Sequence, residues 1–377
     1  MKHPGKALLL GAVVSALSQG ANATDDFDRF GNSRHAVFVM TNDADENAVI
    51  AYERTPYGTL QNSRRYETGG RGSGGKVDPL GSQGSLTLSD DGSQLFAVNA
   101  GSGTLSVFRV FGSRLVFTDR APTGGSEPNA VAQHGRIVYV LNTAGSSSVV
   151  GFRVFDGKLV RIPESLRFLS GNFVNSASLA FSPDGRFLVV TERATNNLDV
   201  FRVQNDGRLS PLTITPSVGP GAFAAVVAPN GAVLISETGP GTPNGSAISS
   251  YNIAPDGKLL PVSVSVPTLG AANCWNVVTP DGRFVYASNS GSASISGFQI
   301  GANGALTPVG STVVGTNPAG SASLDITISA DGRFLYSLNA ATGVIGMFGI
   351  VRDGSLVNLG VRGGLPAAAG LNGIAAN

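Results

Sequence analysis

The sequence has a single cysteine, Cys274, so no internal disulfide can form and stability has to come from packing. Histidine is almost as scarce, with three in 377 residues. His3, His35 and His134 are far apart, so no His/Cys cluster suits zinc and a Ser-His-Asp triad has little to draw on. Charge is thin too. Only 14% of residues are charged while 42% are hydrophobic, which excludes a disordered chain. Lys and Arg number 26 against 25 Asp and Glu, which excludes the basic surface that nucleic acid or anionic membrane would need. Long apolar runs are missing after residues 7–17, and that run is too short to cross a bilayer. It follows Lys2 and Lys6 and precedes the small-x-small site Ala21-Asn22-Ala23, the pattern of a secretory signal peptide over residues 1–23. The expected mature chain is residues 24–377, periplasmic or secreted, with no membrane span. It is expected to be monomeric.

Repetition dominates what remains. Asp91-Gly92, His134-Gly135, Asp184-Gly185, Asn230-Gly231, Asp281-Gly282 and Asp331-Gly332 each precede an apolar run, with the glycines 43 to 51 residues apart. D-G and N-G pairs favour tight hairpins because glycine takes positive φ without steric cost. A second strand follows each run (LSVFRV, VVGFRV, LDVFRV, ISSYNI, ISGFQI), then a D-G-x-L turn and a weaker strand. A seventh copy, AVFVMTN at 36–42, opens the mature chain without its own turn. Four short strands per unit at this period predict an all-β, seven-bladed β-propeller. GLNGIAAN, residues 370–377, reads as the inner strand missing from blade one, so the C-terminus is expected to close the ring.

The repeat also predicts a ring of equivalent positions at one mouth of the channel. Asn42, Asn99, Asn142, Glu192, Glu237, Asn289 and Asn339 end the second strands. Gln83, Asn129, Ser178, Phe223, Trp275, Asp325 and Asn372 are expected just before the innermost strands. Blades four and five place carboxylates where most others place asparagine. Glu192 and Glu237, with Arg193 beside them, are the candidate catalytic residues, since clustered carboxylates in a cleft have split pKa values suited to acid/base work. The same glutamates also fit a role holding neighbouring blades together. The candidate ligand-binding residues are Arg71, Lys76, Gln83, Asn99, Asn129, Asn142, Trp275, Asn289 and Asn339. No metal site or cofactor is expected.

Two motifs are declined. GRGSGGKV, residues 70–77, has phosphate-loop spacing, but no Ser/Thr follows the lysine and Val77-Asp78-Pro79 does not open a helix. It reads as a flexible connection, with Arg71 and Lys76 able to meet an anion. DADENA, residues 43–48, starts like a calcium loop but lacks the glycine and the terminal glutamate.

FSPDGRFLVVTERATNNLDVF, GSQGSLTLSDDGSQLFAVNAGSGTLSVF and GLNGIAAN resemble the seven-bladed lactonase-like propellers, the family of bacterial 6-phosphogluconolactonase and the fungal 3-carboxy-cis,cis-muconate lactonising enzyme. The resemblance covers essentially the whole mature chain and implies a small lactone or sugar acid as ligand. It places the family's glutamate at Glu192, as general base. The family's arginine position falls on Ala177, its Pro-His pair on Pro128-Asn129, and a further arginine on Glu237-Thr238 or Asn289-Ser290. Arginine would grip a phosphate or an oxyanion, so its absence argues against a phosphorylated lactone. Three readings stay open: an exported lactonase, a non-catalytic ligand- or protein-binding propeller, and a lyase or isomerase of muconate-type acids.

Overall fold

The computed structural model describes residue 1 and residues 35–377. Beyond residue 1, the expected leader and the first mature residues lie outside the described residues. From residue 35 the chain forms seven antiparallel sheets arranged as a β-propeller, and no described helix is long and apolar enough to cross a membrane.

Each blade grows from its turn. In blade four the inner strand Ser176–Phe181 and the second strand Phe187–Glu192 are joined by Ser182-Pro183-Asp184-Gly185-Arg186. The Ser182 hydroxyl donates to Asp184 at 2.6 Å, the Gly185 amide donates to the Ser182 carbonyl at 2.8 Å, and Gly185 sits at φ +68°. The same 2.6 Å contact recurs at Ser89–Asp91, Thr279–Asp281 and Ser329–Asp331. The turn motif is thus one local solution used repeatedly.

The second strands are apolar on both sides because each is sandwiched between neighbouring blades; all six residues of Phe187–Glu192 and of Phe334–Asn339 are buried. Side chains also latch blade to blade. The hydroxyls of Tyr139, Tyr286 and Tyr336 donate to the carbonyls of Gly207, Gly354 and Gly58, each in an outer turn of the following blade. The Tyr336 latch joins blade seven to blade one. Ring closure is completed by Ile374–Ala376, which pairs with Ala36–Met40 as the inner strand of blade one. Blade three departs from the pattern: its outer strand is split into Lys158–Arg161 and Arg167–Asn172, both pairing with Ser146–Phe155.

Five inner strands carry an irregular register at their channel end. The residues skipped there include Asn129, Ala177, Cys274 and Asp325. A bulge re-aims side chains, and these positions fall on the part of each blade nearest the axis.

Candidate functional site

The strand-end ring is buried. Asn42, Asn99, Asn142, Glu192, Glu237, Asn289 and Asn339 all have no exposed surface. Each lies in the joint between its own blade and its surroundings rather than on an open wall. Asn99 Nδ2 donates to Ser106 at 2.8 Å, and its Oδ1 accepts from Thr68 of the preceding crossover at 2.6 Å. Asn289 repeats the arrangement with Ser296 at 2.9 Å. Among the described residues Asn142 finds no partner for either amide atom, because Val150 stands on the strand where the equivalent serine would be. Asn339 donates to Asn317 at 3.0 Å and accepts from Ser323 at 2.8 Å.

Glu192 and Glu237 belong to separate joints. Glu192 accepts from the Ser170 amide at 2.9 Å, from the Ser170 hydroxyl at 2.5 Å and from Thr195 at 2.5 Å. Burial works to raise its pKa, but hydrogen bonds from Asp199, Ser170 and Thr195 outweigh it and hold the carboxyl below its usual range. Glu237 accepts from Ser249, and among the described residues its other oxygen makes no hydrogen bond. Burial raises its pKa, with Ser249 and Ser265 opposing.

The axis is crossed by residues 78–83, at the end of the connection from blade one to blade two. The Gln83 amide donates to the Ala177 carbonyl of blade four at 2.9 Å. Gln83 Nε2 donates to the Asn276 carbonyl of blade six at 2.7 Å, and the Asn276 amide returns a bond to Gln83 Oε1 at 3.1 Å. The Ser82 hydroxyl donates to the Asn129 carbonyl of blade three at 2.7 Å, and the Trp275 indole donates to the Ser82 carbonyl at 2.9 Å. One short segment therefore ties blades two, three, four and six across the channel.

Against this segment stands Arg193, which is half-buried. Its guanidinium lies 4.7 Å from the Phe223 ring centre, and Phe223 packs edge-on against Trp275 at 5.1 Å. Gly81, at φ +52°, comes so close that a Cβ there would sit 2.9 Å from Arg193 Nη1. Asp78 faces the same group. Burial raises its carboxyl to about 7, with Arg193, Asn372 and the amides of Gly81 and Ser82 opposing. Asn372 Nδ2 reaches Asp78 at 3.3 Å. Asp325 is buried behind it, accepting the Ile326 and Ile374 amides at 2.9 and 3.2 Å; burial raises it to about 7 as well. Cys274 is pushed up to about 12 by burial, so it stays a thiol.

Of the residues expected from sequence, Arg193, Gln83, Asn129 and Trp275 meet near the axis. Glu192, Glu237, Asn99, Asn142, Asn289 and Asn339 sit in blade joints, and Arg71 and Lys76 are exposed on the connection. The glycine-rich strap does not cradle an anion: the Gly72 and Gly74 amides donate to the Asp43 and Asn42 carbonyls, and the Ser73 amide donates to Asn42 Oδ1 at 3.0 Å. Sequence reasoning missed Asp78 and Asp199. Asp78 had one signal, an acid before proline in a connection otherwise made of glycine and serine. For Asp199 the signal was LDVF where blade two has LSVF.

The bulge-lined channel end of the β-propeller thus brings one guanidinium beside a raised carboxyl. Residues 161–238 and 227–323 match the model of the lactonase, 7-bladed β-propeller family. It is similar in fold to the periplasmic gluconolactonase of Pseudomonas aeruginosa, with 18% identity, 90% of this chain and 99% of that one covered, and a TM-score of 0.66. A proposed 6-phosphogluconolactonase from Bacteroides uniformis has 17% identity, 91% and 100% coverage and a TM-score of 0.69. A protein of unknown function from Desulfotomaculum acetoxidans has 14% identity, 90% and 98% coverage and a TM-score of 0.66. At these identities the structures speak for the fold alone.

Proposed function

We propose that this chain is an exported lactone hydrolase whose channel end, around Arg193 and Asp78, takes a small unphosphorylated lactone. The observation that carries the reading is Arg193, held half-buried on Phe223 beside a carboxyl raised to about 7. A general base works best with a pKa near the operating pH, and a partly desolvated guanidinium stabilises a developing oxyanion. Asp78 takes a proton from water as the water attacks the lactone carbonyl, and Arg193 faces the oxyanion. Collapse breaks the ring C–O bond, and the proton on Asp78 passes to the leaving alkoxide to give the hydroxy acid. The base role expected for Glu192 passes to Asp78 here, because both oxygens of Glu192 are already taken by donors. Glu237 takes no part.

The substrate class follows from charge. Asp78 lies beside Arg193, which leaves little surplus of positive charge for a phosphate dianion. Arg71 and Lys76 are exposed, where solvent and salt weaken their pull. A second reading, a propeller that binds without turnover, is favoured by the position of histidine: His134 is on a hairpin turn beside Asp90, at the opposite end of its blade from the crossovers.

The test is hydrolysis and thermal shift with sugar lactones, aryl lactones and their open acids. Turnover should rise with pH through about 7, and Arg193→Gln and Asp78→Asn should each lower kcat/KM by about 100-fold or more. Ligand-induced stabilisation without turnover would establish the second reading. Turnover indifferent to both substitutions would move the chemistry elsewhere.

A further inference from the structure

We propose that Glu192 and Asp199 share a single proton in the joint behind the channel end, and that this proton-sharing pair is the positioning device that sets Arg193 on Phe223. The inference rests on Arg193 being the ligand-gripping residue of the proposed site. Glu192 and Asp199 are diagonal neighbours on one face of blade four: Glu192 pairs with Asn197 and Val190 with Asp199 across the same two strands. Blades two and six fill this diagonal with Asn99–Ser106 and Asn289–Ser296, where a neutral amide donates to a hydroxyl. Blade four fills it with two acids, neither of which has exposed surface.

The hydrogen-bond inventory forces the protonation state. Glu192 accepts from three donors, which leaves one of the roughly four acceptor sites of a carboxylate for Asp199. Among the described residues neither oxygen of Asp199 makes a hydrogen bond to a donor, and the Ser170 amide, already bonded to Glu192, opposes the rise in its pKa only weakly. Two facing buried carboxylates cannot both be charged without a counter-ion. Among the described residues none is recorded: Ser170 faces the pair from blade three, Thr195 from the turn, Val190 and Ile214 lie beside Asp199 on its own sheet, and the one charge acting on Asp199 is Glu192. Asp199 is therefore the acid and Glu192 the base of one hydrogen bond. Burial and Glu192 together push Asp199 up to about 9.

The consequence reaches Arg193 through the chain. Glu192 binds Ser170 of blade three and Thr195 of the turn, and Arg193 lies between Glu192 and Thr195 in that turn. The Arg193 amide is tied to the Asn175 carbonyl at 3.2 Å. Loss of the shared proton sets two negative charges against each other and loosens the turn that carries the guanidinium.

Trp275, the only tryptophan, packs edge-on against the Phe223 ring that Arg193 covers, so its fluorescence reports on this cluster without any substrate. Between pH 7 and 10 the protein should show a fluorescence step that is absent in Asp199→Asn and in Arg193→Gln. In Glu192→Gln, where the amide can donate to an ionised Asp199, the midpoint should fall by about one pH unit or more. Infrared spectra of protein carrying 13C-carboxyl aspartate should show a protonated aspartate at pH 8 that disappears in Asp199→Asn. A step that persists unchanged in Asp199→Asn, or fully ionised aspartates at pH 8, overturns the proposal. If Asp199→Asn does not fold, the Glu192→Gln midpoint and the wild-type infrared band decide it. None of these readouts needs lactonase activity. A protein that shows the step but hydrolyses nothing would count against the proposed reaction and not against the shared proton.

Discussion

At the residue scale, the repeat uses one position for two purposes. An asparagine at the end of a second strand closes a joint with neutral hydrogen bonds, as Asn99 does with Thr68 and Ser106. A glutamate there has more reach and brings a charge that the joint must accommodate. Blade five shows how tightly this is done: a Cβ on Gly219 would overlap the Glu237 carboxylate. Gly219 does not have a left-handed φ, so the penalty for a side chain is steric and not conformational. Gly219→Ala should therefore destabilise the protein by about 1–3 kcal/mol, read as a lower denaturant midpoint at constant m-value. Combining it with Glu237→Gln should not relieve the loss, because glutamine fills the same volume, whereas combining it with Glu237→Ser should recover part of it. An additive double mutant with serine would mean that Glu237 is not what Gly219 is keeping clear of.

At the element scale, the inner strand Ile374–Ala376 binds the last residues to the first described strand and to blade seven. The Ile374 amide donates to the buried Asp325, and the residue is 4% exposed. Ile374→Ala should cost about 2–4 kcal/mol. Tyr336→Phe, which removes the latch to Gly58 from the other side of the same seam, should cost about 1 kcal/mol. Denaturant melts of both would show whether the seam is held mainly by the strand or by the latch. Seven blades and this closing strand were legible in the sequence because their cause is local: each D-G turn carries its own hydrogen bonds, and each second strand its own apolar run. The segment across the axis was not legible. Gln83 meets Asn276, 193 positions away, and nothing in the residues around Gln83 encodes that distance. The burial of Glu192 was hidden for a similar reason, since its donors come from Ser170 in another blade. Position in the repeat can be read from one strand, but exposure depends on what the neighbouring blade places over it.

At the scale of the whole molecule, titratable groups divide by location, and the division sets how stability depends on pH. In the hairpin turns, burial acts to raise Asp184, Asp281 and Asp331, but hydroxyl and amide donors outweigh it and lower all three, Asp184 to about 2. Their contribution is present above the ordinary aspartate pKa of about 4 and is lost as pH falls below it. Near the axis the sign is reversed. Burial raises Asp78 and Asp325 to about 7 and, with Glu192, raises Asp199 to about 9. Above about pH 4 the unfolded chain has released these protons while the folded chain still holds them, so the fold loses stability as pH rises, by about 1.4 kcal/mol per pH unit for each retained proton. The Glu192–Asp199 pair counts as one such proton, since Glu192 stays ionised. The two groups together place the optimum on the acid side of neutrality. The melting temperature should peak near about pH 5 and fall between pH 5 and 8. Asp325→Asn should flatten that fall, because it removes one retained proton while leaving an oxygen to accept the Ile374 amide. A melting temperature that is level or rising from pH 5 to 8 would mean that the axial acids are ionised in the folded protein. The pH 7 value expected for the base of the proposed reaction would then fall with them, so one titration of stability tests the chemistry of the site before any substrate is known.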